Sequence, residues 1–508
     1  MYSFRYSGIS IGLILLGTFL FIGHHAIIDL PPQSMHKWRQ TDSASFAWNY
    51  YTESSNLLQP RFHNLYNEQK AASEFPILYW IVGMLYRLFQ PHHAWFRGLQ
   101  LLIVFSGFWA LYRLAQLFLA DHIWSMLYML LLMGSPLLHF YANGFIPDPP
   151  VFALCCWGWY AFFFYQRRQS FPALVWAIIA FALAATMKAS SIGCLGAAGI
   201  LILYEAKDAP IAWLKDRQTW AKIGLLLGGM GMILLWYVYA TWYSTGFERG
   251  HFGHIMRSFD GLSSAHRAEI WTYLWDQHFP FFYHPLCGTL ILLISFLPLL
   301  GLRSSGQKLW LATGFLLTAK LVYVYYFYWL MGIHDYYLLA FLPLIALALL
   351  HGLKVLRLQW PKLYHSAWLK WLLLGVCIFG LYRAKTELRV RYFGRTMNYK
   401  EQPAFYEEGL QDFLLEVGVG LENTLVSVPD LSPNNTLYIL NRRGWTNANF
   451  GLMEPKKMEP WIDQGLADFL IISDSSLLSE PVWQRYMRSP KGEYKGIFVF
   501  DLREIKRE

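Results

Sequence analysis

Long apolar runs, broken by short polar joints, fill the chain up to residue 384; from Gln402 onward the runs shrink to a few residues and alternate with turns. A spanning helix needs about 20 apolar residues, and about 17 still suffices. Runs near that length, several of them shorter, lie at 7–28, 77–89, 99–119, 123–142, 149–165, 171–187, 191–204, 220–243, 285–302, 309–331, 336–353 and 367–382. This predicts an α-helical polytopic membrane protein of about 11 to 12 spans. In the remainder, 424–428, 437–440, 467–473 and 496–502 read as strands, and 455–465 and 479–487 as helices. The expected organisation is a membrane body, 1–384, with polar loops at 29–75 and 244–284, followed by a small soluble α/β domain, 385–508.

Charge follows the same division. The 508 residues are 55% hydrophobic and 15% charged, with net charge +9. Residues 385–508 hold 16 Lys/Arg and 18 Asp/Glu, whereas the first 384 hold 26 and 15. The basic excess sits in the joints between apolar runs, so it reports loop topology. A secreted enzyme, a disordered scaffold and a soluble nucleic-acid binder are excluded on this ground, and no nucleic-acid partner is expected. Cys155, Cys156, Cys194, Cys287 and Cys377 lie in apolar runs without metal-ligand spacing and read as small buried hydrophobes. Residues 7–28 follow Arg5, lack a small-x-small cleavage site and read as a retained signal anchor.

The positive-inside rule assigns sides to the joints. Arg167 and Arg168, the four basic residues of 207–222, the two of 303–308 and the three of 354–362 mark cytoplasmic loops. One span back from Arg167 places Asp148 outside; one span forward from Arg168 places Lys188 outside. Arg5 keeps the start inside, so the 29–74 loop is also outside. An even number of crossings must then separate Glu74 from Asp148, yet three apolar runs lie between them. The shortest, 77–89, carries Arg87 and is expected not to cross. Eleven crossings leave the C-terminal residues outside, in a multi-pass protein of a bacterial inner membrane.

Sparse acids become informative on this map. An ionisable group at or below the interface is costly and marks a candidate site. Asp42 lies in His36-Lys37-Trp38-Arg39-Gln40-Thr41-Asp42, where flanking cations favour the ionised form; it is either a functional base or a solvated acid paired with Arg39. Asp148, in Pro147-Asp148-Pro149-Pro150, is a helix cap, a site acid or both. Lys188, between two short apolar runs, is a snorkelling lysine or an anion ligand. His334-Asp335-Tyr336-Tyr337 is an interfacial anchor or a sugar- or phosphate-holding group. Arg249, His251 and His254 form another polar group, and two histidines without a third ligand make a weak metal site.

These residues together resemble a known family. Trp38-Arg39-Gln40-Thr41-Asp42 with Ala47 and Asn49, Glu74-Phe75-Pro76 with Tyr79-Trp80, Arg97, Pro147-Asp148, Met187-Lys188, and His334-Asp335-Tyr336-Tyr337 before Pro343 resemble, as an ordered set, the GT-C fold polyprenyl-phosphate-sugar glycosyltransferases. The branch is that of the protein O-mannosyltransferases and the lipid A aminoarabinose transferase (glycosyltransferase family 39-like), and the likeness covers roughly 1–385. It implies a sugar donor carried on polyprenyl phosphate, an acceptor glycan, lipid or protein, and a site at the outer face of the bilayer. Asp42 matches the family's acidic residue of the first loop, and Asp148 its second acid at the membrane edge. Where family members have Asp-Glu and Lys-Pro-Pro, this chain has Asp42-Ser43 and Glu74-Phe75-Pro76, which weakens a lipid A acceptor.

The implied roles are Asp42 as the base of an inverting transfer, with Asp148 assisting. Arg39, Lys188, Arg249, His334, Asp335 and Tyr336 are expected on the donor phosphate or sugar, and Glu74, Arg442 and Trp445 on the acceptor side. No cofactor is expected, and metal independence is favoured because few acids converge near Asp42. A transporter or flippase of lipid-linked sugars is the rival; it would show internal repeats and charges spread through the spans.

Overall fold

The computed structural model describes residues 2–244, 256–300, 306–394 and 403–505. They fall into two compact units, one built from Met1–Asp29, Arg97–Val238 and Met256–Tyr392, the other from Leu30–Phe96, Tyr239–Ile255 and Phe393–Glu508. Among the described residues, six helices are long and apolar enough to cross a membrane: His93–Leu119, Ala189–Ala206, Arg217–Tyr243, Gln307–Ile333, Asp335–Gln359 and Ala367–Phe393. One expected run is broken, and one expected loop carries a helix. The 123–142 run divides into His122–Met133 and Pro136–Ala142 with a 73° bend, because Gly134 ends the first helix, Ser135 accepts the Leu138 amide and Pro136 opens the second. The expected 244–284 loop carries a helix, Ser264–Phe282, bent by 87° from Pro285–Leu300, with Tyr283 extended and His284 capping Leu286.

Within the helical unit, charged side chains gather at two ends. The Asp148–Arg168 helix starts at Asp148 and ends at Arg167 and Arg168, and the Phe171–Met187 helix returns to Lys188. Gln307–Ile333 runs from Lys308 to His334, and Leu342–Gln359 leads from the Asp335–Phe341 turn to Lys354 and Arg357. At 1.5 Å per residue these rods are about 25 to 40 Å long, on the scale of a bilayer core of about 30 Å. One end thus carries Asp148, Lys188, His334 and Asp335; the other carries the basic joints. Small residues allow close helix approach: a Cβ on Gly352 would lie 1.8 Å from the carbonyl oxygen of Ile294.

The second unit joins the first polar loop to the C-terminal residues, which are far apart in sequence. Its sheet contains β1 (Leu425–Val428), β2 (Gly444–Thr446), β3 (Phe469–Ile472), β4 (Pro490–Tyr494) and β5 (Ile497–Asp501), in the order β2-β1-β3-β5-β4. The β1–β2 and β1–β3 pairs are parallel, and β5 runs antiparallel to both β3 and β4. Strands β1 and β3 are buried throughout, as expected for a sheet covered on both faces. Val426, Leu470, Trp445, Trp483 and Phe500 pack on one side, and Leu425, Leu437, Phe469, Ile471 and Val499 on the other. Each such side chain contributes about 1.5–3 kcal/mol on burial.

Two expectations for this region change. Residues 437–440 belong to a helix, Asn435–Leu440, rather than a strand, because Asp430 and Ser432 cap its first turn. Residues 479–487 form short 3-10 turns, Ser475–Ser479 and Gln484–Met487, rather than one helix. The first loop is stitched to the sheet at β2. Leu65 N donates to Gly444 O at 2.8 Å, and Gly444 N donates to His63 O at 3.2 Å. Gly444 has φ +154°, and a Cβ there would sit 1.7 Å from Leu425 O, so the register requires glycine.

Candidate active site

Asp42 lies on the Lys37–Thr52 helix, whose Arg39, Gln40, Thr41, Ser43, Ser45 and Asn49 are also buried. That polar helix is held by its neighbours. Ile77–Phe89 packs on it, with Gly83 against Ala47 and Tyr50, Tyr79 against Phe46 and Tyr86 against Tyr51; its thirteen residues reach only about 20 Å, short of the hydrocarbon thickness. The Asn435–Leu440 helix packs on it as well. Gln40 Nε2 donates to the carbonyls of Gln33 and Met35 at 2.9 and 3.1 Å, and Thr41 Oγ1 to that of Trp38 at 2.8 Å, which fixes the entry to the helix.

Asp42 is 1% exposed, and its Oδ1 has no hydrogen-bond partner among the described residues. The guanidinium of Arg39, one turn away, forms its ion pair with Glu74, whose Oε2 also accepts from Tyr79 Oη at 2.9 Å. Burial pushes the Asp42 carboxyl well above the usual carboxylate range; Arg39 opposes this, while Asp430 and Glu74 add to it.

The loop after β1 brings further polar groups to the same helix. With the order β2-β1-β3, the carboxyl end of β1 is a topological switch point, where α/β sheets commonly place their sites. Asn434 Oδ1 accepts from His63 N at 3.0 Å and from Ser45 Oγ at 3.4 Å, and its Nδ2 donates to Thr41 O at 3.3 Å. Thr41 Oγ1 is 3.4 Å from Asn435 Oδ1. His63 Nδ1 lies 2.7 Å from Ser45 Oγ; burial, then the charge of Arg443, lowers its pKa to about 3 and keeps the ring neutral. Asp430 is raised by burial but accepts from the amides and hydroxyls of Ser432 and Thr436 at 2.6–2.9 Å, which oppose the rise. The sequence signal for this loop is the Pro433-Asn434-Asn435 run of polar residues after a buried strand.

Other residues expected at the site have different surroundings. Arg442 is 1% exposed and donates to the carbonyls of Val419, Gly420 and Leu440, and Trp445 stacks on Trp461 at 4.6 Å. Both are packing groups of the sheet unit. Arg249, His251 and His254 lie outside the described residues.

In the helical unit, Lys188 sits in extended conformation at the joint between Phe171–Met187 and Ile192–Leu203. Its Nζ is 3.3 Å from Asp148 Oδ2 and stands 5.3 and 5.5 Å from the ring centres of Tyr336 and Tyr337. His334 stacks on the same two rings, with centroids 5.4 and 5.9 Å away. Asp335 is fully buried: Arg391 donates to its Oδ2 at 2.8 Å and Tyr141 Oη to its Oδ1. Arg391, which sequence reasoning missed, also lies 3.2 Å from the Phe281 ring centre. Its signal was a basic cluster at the end of the last span, on the side where the positive-inside rule expects none. Arg97 is enclosed too, donating to Asn143 O and to Tyr392 Oη at 3.1 Å. Among the described residues no three His, Cys, Asp or Glu side chains are grouped to hold a metal ion.

The chain adopts the GT-C fold, as its likeness to solved structures shows. Among the solved structures that share it are three. ArnT from Cupriavidus metallidurans, in its apo state, is 14% identical with a TM-score of 0.59 over 99% of each chain. The Archaeoglobus fulgidus oligosaccharyltransferase tethered with an acceptor peptide is 10% identical, TM-score 0.55, over 94% of this chain and 72% of that one. The arabinofuranosyltransferase AftD from Mycobacteria is 15% identical, TM-score 0.51, over 98% of this chain and 41% of that longer one. No protein-family model matches the chain, and no curated protein matches it by sequence.

Proposed function

We propose that the protein is a membrane glycosyltransferase that moves a sugar from a polyprenyl-phosphate donor to an acceptor hydroxyl at the outer face of a bacterial inner membrane. The observation that carries this reading is the enclosed carboxylate of Asp42 in a GT-C fold, with its nearby cation committed to Glu74. A carboxyl whose proton affinity is raised by burial is a better base than a solvated one, and such a base contributes about 10²–10⁴-fold. Asp42 takes the proton of the acceptor hydroxyl as its oxygen bonds to the anomeric carbon. The bond from that carbon to the phosphate oxygen breaks on the opposite face, the configuration inverts, and polyprenyl phosphate leaves.

The departing phosphate gains charge and calls for a cation. Lys188 is proposed for that role, held by Asp148 and backed by Tyr336 and Tyr337, with His334 as a further donor. Asp335 is assigned to positioning, since both its oxygens are taken. Arg39 tunes Asp42, and Glu74 anchors Arg39. The GT-C neighbours, which include an oligosaccharyltransferase and an arabinofuranosyltransferase, support a transferase acting with a lipid-linked sugar. Transfer of radiolabelled sugar from synthetic polyprenyl-phosphate donors in membranes tests the reading: Asp42→Asn should lose it by at least about 10²-fold, and undiminished transfer would overturn the mechanism.

A further inference from the structure

The helical unit holds a cavity of about 640 Å³ at the end remote from Asp148 and Lys188. Leu117, Phe118 and Phe163 wall it, and Arg167, Lys308 and Lys354 converge on it from three separate helices. The two carboxylates nearby leave these cations uncompensated. Glu205 is engaged by Lys222 at 2.7 Å and by Gln166 at 2.9 Å, and the exposed Asp208 lies 3.9 Å from Lys207. Among the described residues, Arg167, Lys308 and Lys354 have no carboxylate within ion-pair distance. They meet only neutral groups: Arg167 donates to Leu117 O at 2.7 Å, Lys308 to Gln166 Oε1, and Lys354 lies 5.6 Å from the Phe118 ring centre. A half-buried ammonium left without an anion costs free energy; Lys308 and Lys354 are both half-buried and the exposed Arg167 adds a third charge at the rim, so the site is shaped for a ligand bearing negative charge.

The surroundings indicate where that ligand comes from. Beside the cavity the short Pro210–Lys215 helix and the start of Arg217–Tyr243 expose Ile211, Leu214 and Trp220, at 70%, 50% and 58%. Large apolar side chains exposed next to lysines mark the headgroup level of a bilayer. Basic pockets between spans at that level take phosphorylated lipid headgroups.

We infer that this cavity binds the phosphate of an anionic phospholipid, with Arg167, Lys308 and Lys354 as its cations, in the leaflet opposite to the one served by the Asp148 and Lys188 end. The inference rests on the helical unit alone and is independent of the glycosyl-transfer reading.

Native mass spectrometry and thermal unfolding of the full chain, exchanged into phosphatidylcholine micelles with and without phosphatidylglycerol, test it. Wild type should retain phosphatidylglycerol and unfold at a higher temperature in its presence. Lys308→Gln/Lys354→Gln should bind it at least about tenfold more weakly, since a charge-assisted hydrogen bond is worth about a decade in affinity. The milder Arg167→Gln, at an exposed position, should weaken retention too, whereas Lys215→Gln, outside the cavity, should not. Glycerol 3-phosphate at millimolar concentration should not substitute. Equal retention by wild type and both cavity variants would overturn the site, and equal protection by glycerol 3-phosphate would overturn the lipid assignment.

Discussion

Asp335 and Asp42 are both buried carboxylates, and the protein treats them in opposite ways. Asp335 in the helical unit has a guanidinium on one oxygen and a phenol on the other. Asp42 in the sheet-bearing unit has an enclosed oxygen with nothing to accept, and its neighbouring arginine is turned to Glu74. The first arrangement satisfies a charge and ties together the Pro136–Ala142, Asp335–Phe341 and Ala367–Phe393 segments. The second leaves a carboxyl expensive to ionise, a cost tolerated where chemistry needs a proton acceptor. Burial alone therefore does not distinguish a structural acid from a functional one; the partners do.

Substitutions that disturb one region and spare the other sharpen this contrast. The largest effect is expected from Arg391→Ala, which strands Asp335: stability should fall by about 3–5 kcal/mol, read from the unfolding midpoint in detergent. Asp335→Leu/Arg391→Met should recover most of that loss. Gly444→Ala, which forces a Cβ into Leu425 O, should cost about 1–3 kcal/mol and detach the first loop from β2, seen as faster hydrogen exchange at Leu65. Asn434→Ala should cost about 1 kcal/mol in stability and lower transfer, because Ser45, His63 and Thr41 lose their common partner. Arg39→Met, which also strands Glu74, is read from the pH profile of transfer: with the cation that opposes the rise in Asp42 removed, the rise of transfer with pH should move to higher pH. An unmoved profile would separate Arg39 from Asp42.

Much of the fold was legible because its signals are local. Apolar length and basic joints mark the helices and their two ends, and Asp42 stood out through the charge cluster around it. What was not legible depends on contacts far apart in sequence. Arg39 could be read as the partner of Asp42 until Glu74, 35 residues away, takes it. Asp148 and Lys188 were each visible, but their pairing was not. Residues 437–440 look like a strand because the capping carboxylate, Asp430, lies outside the window that periodicity examines. The bridge from His63 and Leu65 to Gly444 crosses more than 370 residues, and no local pattern encodes it.

The unfolding midpoints of wild type and Asp42→Asn, measured from pH 4 to pH 8 alongside transfer, test the central claim most directly. A folded-state pKa above the unfolded value of about 3.9 means that the unfolded chain releases the Asp42 proton first. Wild type then loses stability as pH rises above that value, by about 1.4 kcal/mol per unit until the folded pKa is reached. Asparagine has no such cost, and the comparison cancels the titrating groups that are not coupled to Asp42, His63 among them. The variant should be indistinguishable from wild type near pH 4, more stable at pH 8 and unable to transfer sugar. A variant less stable than wild type at pH 8, or one that still transfers, would contradict the account.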